Sequence, residues 1–201
     1  MKSTVKKGDN PKKNYHHGDL RGALVAAASD ILAEDGMEKL SLRGVARRAG
    51  VSQAAPYHHF ENKHALLSAV AAAGFVALRA SMKKHAAESE DQFQGVGVGY
   101  VMFAMENPAL FRLMQGPYFS CDEPSPELLA AGEASRGVLL DNIAAAYPDA
   151  SERELRVKAA ASWSIVHGLA TLLLDGRLQP MFEGEDDVQA IAKAVTDLLA
   201  V

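Results

Sequence analysis

The stretch from Ser41 to Lys63 constrains the fold more than any other part of the chain. Ser41 is a good helix N-cap, and apolar residues follow at positions 42, 45 and 46, the i, i+3, i+4 spacing of an amphipathic helix. Gly50 suits the positive φ that ends a helix, and Ser52 is placed to cap a second helix of about two turns. Two short helices joined by such a turn predict a helix-turn-helix motif.

The second predicted helix presents side chains that suit double-stranded DNA. Its first turn is nearly flat, with alanine methyls beside the single amide of Gln53. Glutamine can pair bidentately with adenine, and an alanine methyl can contact the methyl of thymine. Donors for phosphate oxygens follow at Tyr57, His58, His59 and Lys63, next to the N-terminal dipole of a helix that Asn62 caps. The front of the helix would read sequence, and its flanks would fix position.

Leu40 to Lys63, with the preceding helix from Arg21 to Gly36, resembles the DNA-binding domain of the TetR family of bacterial transcriptional regulators. The matching pattern is a capped Leu-x-x-Val-Ala, then Ala-Gly-Val-Ser, then Tyr-x-His-Phe, then a lysine that opens the next helix. The resemblance implies a core position for Phe60. It also implies DNA contacts at Arg43, Ser52, Gln53, Ala55, Tyr57, His59 and Lys63.

Two residues depart from the family pattern. Pro56 lacks an amide hydrogen and disfavours helical dihedral angles at Ala55. Either the second helix starts later than Ser52 predicts, or its first turn is distorted. His64 stands where an acidic residue is more usual, which makes that end of the motif more positive when the imidazole is protonated.

The charge distribution bears on DNA binding, because a capped helix pair also occurs in proteins that do not bind nucleic acid. The chain has a net charge of -4, but residues 1–64 carry 11 Lys and Arg against 7 Asp and Glu. Residues 65–201 carry 10 against 18. A basic front and an acidic back favour a protein that docks one end on phosphate. The lysines of residues 1–15 indicate a mobile basic arm that reaches DNA or, alternatively, a solvated tail.

We expect an all-α fold, since 48% of the residues are hydrophobic, only 6% are aromatic, and no run of alternating β-branched residues is present. The predicted divisions are a basic arm at 1–15, a helix-turn-helix DNA-binding domain at 16–64 and a ligand-binding and dimerisation domain at 65–201. Glycines at 95, 97 and 99 alternate with larger residues, which we interpret as close helix packing rather than a strand. Further helices are expected at about 19–35, 63–87, 95–106, 109–114, 127–147, 151–175 and 186–199.

The sequence gives little support for a metal site, a cofactor or catalysis. Cys121 is the only cysteine, and the histidines at 58, 59 and 64 lack the His-Glu-x-x-His order of a zinc protease. Neighbouring His16 and His17 would point apart on a helix, and no glycine-rich phosphate loop is present. The N-terminus is polar, and no run of about 18 uncharged apolar residues occurs. We therefore expect no metal, no cofactor, no enzymatic activity, no membrane span and a cytoplasmic location.

The C-terminal part carries a second resemblance. Trp163 and His167 lie one helical turn apart on the same face, and Gly168 allows another backbone to approach. Together with ENPALFRLM at 106–114 and YHHGDLR at 15–21, this resembles the TetR subgroup whose C-terminal domain is named for its WHG signature. The resemblance implies a homodimer through the last two long helices, at 151–175 and 186–201. A dimer also suits a palindromic operator, because one short helix makes too few base contacts.

Large apolar side chains of the predicted domain at 65–201 either line a cavity for a small apolar ligand or form an ordinary core. The candidates are Met82, Phe103, Met105, Phe111, Met114, Tyr118, Phe119, Trp163 and His167, with Tyr118 or His167 as a polar anchor. By analogy with the family, we expect a repressor. Its ligand would favour a distance between the two DNA-binding domains of the dimer that does not match DNA. The alternative is a helical protein-interaction or ligand-binding module without DNA binding.

Overall fold

The computed structural model describes residues 19–116, 124–182, 184 and 187–198, and this part of the chain is helical throughout, without a strand. The prediction of an all-α fold is confirmed. The predicted arm at 1–15, His16, His17, Tyr118, Phe119 and Cys121 lie outside the described residues. The α-helices are α1 Leu20–Asp35, α2 Leu42–Ala49, α3 Lys63–Glu88, α4 Gln92–Glu106, α5 Pro108–Gln115, α6 Pro126–Ala146, α7 Glu152–Leu174 and α8 Val188–Asp197. Short 3₁₀ helices occupy Met37–Lys39, Ala55–His58 and Gln179–Met181.

Side-chain caps fix where the first helices begin. The Asp19 carboxylate accepts the Gly22 amide at 2.8 Å, and the Ser41 hydroxyl accepts the Gly44 amide at 3.1 Å. The Asn62 side chain accepts the Ala65 amide at 2.9 Å and starts α3. Each bond satisfies an amide that has no partner inside its helix, which explains why the predicted starts of α1, α2 and α3 are confirmed.

Two glycines let α4 lie directly against α3. A Cβ atom at Gly99 would stand 2.7 Å from the Cα of Met82, and one at Gly95 would stand 2.7 Å from the Cα of Ala86. Both distances are well below van der Waals contact, so no larger residue fits without a shift of the α3 backbone. The helical interpretation of this glycine run is therefore confirmed, with close packing as its physical cause.

Helix α3 connects the N-terminal head, formed by α1, α2 and the start of α3, to the body. A continuous core runs along it, from Leu24 and Val45 in the head to Val101 and Phe103 in the body. By length and composition alone, α3 and α7 are the two helices among the described residues that are apolar enough to cross a membrane. In α3, 56% of the apolar window is buried inside the protein, as expected of a core helix, whereas in α7 only 28% is buried.

Candidate functional site

Helix α2 and the turn after it form the first half of the predicted motif. Leu42, Val45 and Ala46 are buried, while Arg43 and Arg47 remain exposed. Gly50 adopts the left-handed conformation, with φ 69° and ψ 30°, and ends the helix. The next amide, that of Val51, donates to the carbonyl of Ala46 at 3.0 Å. This turn matches the sequence prediction, because only a residue without a Cβ atom adopts that φ at no cost.

The second half of the motif differs from the prediction of a two-turn helix capped by Ser52. It is a single 3₁₀ turn at Ala55–His58, its N-cap is Ala54, and no side chain caps it. Pro56 is the cause: it has no amide hydrogen to donate. The Tyr57 amide donates to the Ala54 carbonyl at 3.1 Å, which is the i to i+3 pattern of a 3₁₀ helix. Both alternatives that Pro56 left open are observed, because the helix starts at Ala55 and its only turn is a 3₁₀ turn.

The predicted DNA contacts fall into two groups. Arg43, Ser52, Gln53, Tyr57, His58 and His59 are exposed, and the side chain of Tyr57 is 52% exposed. Ala55 and Lys63 are half-buried, and the Lys63 ammonium donates to the carbonyl of Met37 at 2.9 Å. An ammonium has three donors, so Lys63 keeps two for other acceptors. Phe60 is buried as predicted, and the Arg21 guanidinium lies 5.4 Å from its ring centroid.

Two other arginines of the head are paired with carboxylates. Arg48 binds Glu34 through two hydrogen bonds, the longer at 3.0 Å, and this bonding lowers the pKa of the Glu34 carboxyl. Arg21 binds Glu127 of α6 through two hydrogen bonds, the longer at 3.1 Å. Arg21 therefore links the head to the body in this structure.

The body contains a partly open cavity of about 170 Å³ bounded mainly by α3, α4, α6, α7 and α8. Its apolar wall includes Phe75, Leu78, Met82, Phe93, Leu139 and Val166. Met82 and Trp163 are the predicted ligand residues that line it. Periodicity along one helix could not reveal the others, because each helix contributes only one to four side chains.

A second cavity, of about 220 Å³, lies at the ends of α5 and α7. The predicted residues Phe111 and His167 line it, together with the ion pair between Arg112 and Asp175 at 2.9 Å. Gln115 lines both cavities, so it forms part of the wall between them. Phe103 and Met114 are buried and line neither cavity, so the alternative of an ordinary core applies to them.

Tyr100 joins this wall to α7. Its hydroxyl accepts hydrogen bonds from Trp163 Nε1 and Gln115 Nε2, each at 3.4 Å, and lies 3.0 Å from His167 Nδ1. Both acceptor positions are then filled, so the hydroxyl donates to Nδ1, and we assign His167 as neutral with its proton on Nε2. Burial lowers the pKa of His167 in agreement, and it raises the pKa of Tyr100 to about 12. Sequence reasoning missed Tyr100, because its partners are far away in the chain.

One face of α7 is apolar and exposed. Val157, Ile165 and Leu172 are 55%, 41% and 39% exposed, and a Cβ atom built at Gly168 would meet nothing within 4 Å. The close backbone approach predicted at Gly168 therefore does not come from the described part of this chain. Exposed apolar faces of this kind mark interaction surfaces.

The chain matches two family descriptions, which cover its two parts. The family "Bacterial regulatory proteins, tetR family" matches residues 24–70, and "Tetracyclin repressor-like, C-terminal domain" matches residues 93–199. Tetracycline repressor protein class C of Escherichia coli is 49% identical over 53 residues, which are 26% of this chain and 24% of that protein. The class G protein of Vibrio anguillarum is 46% identical over 50 residues, 25% of this chain and 24% of that protein. The chain thus matches about a quarter of the length of these relatives.

Solved structures match over nearly the whole chain. A protein of unknown function from Rhodococcus sp. RHA1 has a TM-score of 0.77 and 33% identity, covering 94% of this chain and 97% of that one. A TetR family transcription regulator from Marinobacter aquaeolei VT8 has a TM-score of 0.62 and 20% identity, covering 89% and 94%. At 20% identity the second likeness shows the fold alone.

Proposed function

This chain belongs to the TetR family of bacterial regulatory proteins, and from that premise we propose that it is a homodimeric repressor. In this proposal it binds a palindromic operator, and a small, largely apolar ligand releases it. The observation that carries the proposal is the exposure of Gln53, Tyr57, His58 and His59. They lie in and beside the 3₁₀ turn, which α1, α2 and the core around the buried Phe60 support.

In this proposal, the residues that read bases and the residues that bind phosphates lie on opposite sides of the 3₁₀ turn. Gln53 stands before it and is exposed, so its side-chain amide can read adenine in the major groove. Tyr57, His58 and His59 stand at its far end, beside the N-terminus of α3, and would hold phosphate oxygens. Because the turn is so short, we propose that base reading depends on very few side chains in each subunit.

The basic arm supplies the attraction to phosphate in this proposal. Residues 19–64 carry six Lys and Arg and six Asp and Glu, so the folded head has no net charge. The excess of positive charge in residues 1–64 therefore lies in residues 1–18. Neutralised phosphates determine the salt dependence of DNA binding, so removing residues 2–15 should flatten the dependence of operator affinity on salt.

The exposed apolar face of α7 is the proposed dimer interface, continued by α8. Leu198 at the end of α8 is 74% exposed, and Val157, Ile165 and Leu172 of α7 are exposed as described above. A second copy packed on this face would bury them and bring two heads to one operator. The proposal places the protein in the cytoplasm, without membrane, metal, cofactor or catalytic activity, as suits a family of transcription regulators. No group of three or more His, Cys, Asp or Glu that could hold a metal is found in the described ranges.

Helix α6 offers a path from the cavity to the head. Gly132 and Leu139 of α6 line the cavity, while Glu127 in its first turn binds Arg21 of the head. Its N-cap Ser125 also lies 2.9 Å, hydroxyl to hydroxyl, from Ser68 of α3. We propose that a ligand shifts α6 against α3 and favours a head spacing that does not fit the operator.

A mobility-shift assay with DNA upstream of the gene tests the DNA-binding role. Tyr57→Ala and Lys63→Ala should weaken binding on every sequence, whereas Gln53→Ala should change the preference among bases by about 10-fold at one position of each half-site. Lys84→Ala is the matched control, because Lys84 is an exposed lysine at the body end of α3. A folded dimer that binds no DNA would instead favour a helical interaction module.

A further inference from the structure

Some of the polar groups that line the 170 Å³ cavity already have hydrogen-bond partners, and others do not. The Gln94 amide donates to Asp197 and its carbonyl oxygen accepts from Ser89, while Thr196 donates to carbonyls of its own helix. The Tyr100 hydroxyl has three partners, two of which are the cavity-lining Gln115 and Trp163. A ligand that used these groups would first have to break existing hydrogen bonds.

Three lining groups have donors to spare. Ser135 of α6 and Ser162 of α7 are 4% and 6% exposed, and neither hydroxyl has a hydrogen bond within the described ranges. Arg136 follows Ser135, is exposed to solvent and makes no ion pair with a described residue. No buried side-chain nitrogen or oxygen atom of the described residues lacks a hydrogen-bond partner, so these two hydroxyl oxygens must be open to the cavity or to solvent. The exposed guanidinium of Arg136 is likewise free to bind a ligand in place of water. These three lining groups can therefore donate to the hydrogen-bond acceptors of a ligand in the cavity.

The charge of this site has one sign. Arg136 is the only charged residue among the described residues that line the cavity. Asp197, a carboxylate bonded to the lining residue Gln94, does not itself line the cavity. A guanidinium prefers a planar oxyanion that it can bind bidentately. One guanidinium neutralises one negative charge, which suits a carboxylate better than a doubly charged phosphate monoester.

The volume limits the apolar part of the ligand. A cavity of about 150 Å³ lined by aliphatic and aromatic side chains holds one benzene molecule, and this cavity measures about 170 Å³. Phe75, Phe93 and Trp163 offer aromatic contacts, and Met82 adapts to irregular shapes. The space thus fits one aromatic ring or a short branched chain.

We propose that the effector of this protein is a small aromatic or short-chain carboxylate. Its apolar body fills the cavity, Arg136 binds its carboxylate, and Ser135 and Ser162 donate further hydrogen bonds. This inference rests on the proposed regulatory function, whose ligand it defines more narrowly.

Benzoate and its neutral isostere benzamide distinguish the two parts of the proposal. Isothermal titration of the intact protein should show benzoate binding roughly 10-fold more tightly than benzamide, the usual advantage of a charge-assisted hydrogen bond. Arg136→Gln should abolish that difference by weakening benzoate alone, and benzamide binding then shows that the variant is folded. Arg79→Gln, at an exposed arginine of α3 outside the cavity lining, should keep the difference.

Equal binding of benzoate and benzamide, a preference that survives in Arg136→Gln, or no binding of either compound would overturn the carboxylate inference. Neutral compounds that bind and release the operator would still support the proposed function in that case. If benzoate binds through Arg136 but leaves operator affinity unchanged in a mobility-shift assay, the carboxylate site stands and its role as the effector site fails.

Discussion

The head and the body of this protein present their candidate functional residues in opposite ways. In the head, Gln53, Tyr57, His58 and His59 are neighbours in sequence and exposed, and local hydrogen bonds fix the turn that carries them. In the body, the cavity is assembled from helices far apart in the chain, and many of its lining side chains are buried.

This difference separates recognition from stability. An exposed head residue can change with little loss of folding free energy, since surface substitutions usually cost less than about 0.5 kcal/mol. A cavity residue also belongs to the core, so a change there alters both the ligand site and the packing that holds the head. We therefore expect the head to determine which operator is bound and the body to determine when it is released.

The largest effect is expected from the exposed face of α7. Ile165→Glu would place a charge in the proposed interface, and we expect a monomer at micromolar concentration with an operator affinity at least about 100-fold lower, because half of the contacts are lost. Analytical ultracentrifugation and a mobility-shift assay measure the two effects. Val76→Glu, at a 61% exposed valine of α3, is the matched control and should leave the dimer intact. A monomer that binds the operator normally would show that the head acts without the body.

The next largest effect is expected where α4 meets α3. Gly99→Ala places a Cβ atom 2.7 Å from the Ser81 carbonyl oxygen, so the α3 backbone has to move, at a cost of about 2–3 kcal/mol. Gly137→Ala is the control, because nothing lies within 4 Å there and alanine favours the helix by about 1 kcal/mol. Urea unfolding should therefore move in opposite directions for the two variants. Similar midpoints would contradict the packing described for α3 and α4.

The difference between local contacts in the head and long-range contacts in the body also determines which features could be predicted from the sequence. Ser41, Gly50 and Asn62 act on backbone groups within four residues, so their roles as caps and turn were readable from spacing. The helix containing Pro56 was predicted too long, because the missing amide hydrogen outweighed the Ser52 cap signal. Tyr100 was missed because its partner His167 is 67 residues away. Contacts at that distance leave no local pattern.

Removal of one tyrosine hydroxyl from the body and one from the head compares the two regions directly. Tyr100→Phe removes the oxygen that Trp163, Gln115 and His167 share, and we expect a loss of about 1–2 kcal/mol, since Trp163 is half exposed and water replaces part of its bond. For a chain of this length that lowers Tm by about 2–8 °C. Tyr57→Phe in the head should leave Tm nearly unchanged but weaken operator binding. Differential scanning calorimetry and the mobility-shift assay would contradict the division of roles if both variants behaved alike.

The smallest effect is expected where the two regions touch, at the ion pair between Arg21 and Glu127, whose side chains are 42% and 50% exposed. Exposed pairs contribute at most about 1 kcal/mol. A double-mutant cycle of Arg21→Gln and Glu127→Gln removes the separate contact of Arg21 with Phe60 from the comparison. Glu152→Gln, which breaks the exposed pair with Arg156 inside α7, is the matched control.

An interaction cannot transmit more free energy than it contributes, so loss of the Arg21 pair can reduce the effect of a ligand on operator affinity by no more than about 5-fold. Operator titrations with and without the ligand measure this limit in Glu127→Gln. A larger reduction would mean that α6 and the head are joined by more than this pair and the hydrogen bond between Ser68 and Ser125. No reduction would leave α3, which is covalently continuous with the head, as the path from the cavity to DNA.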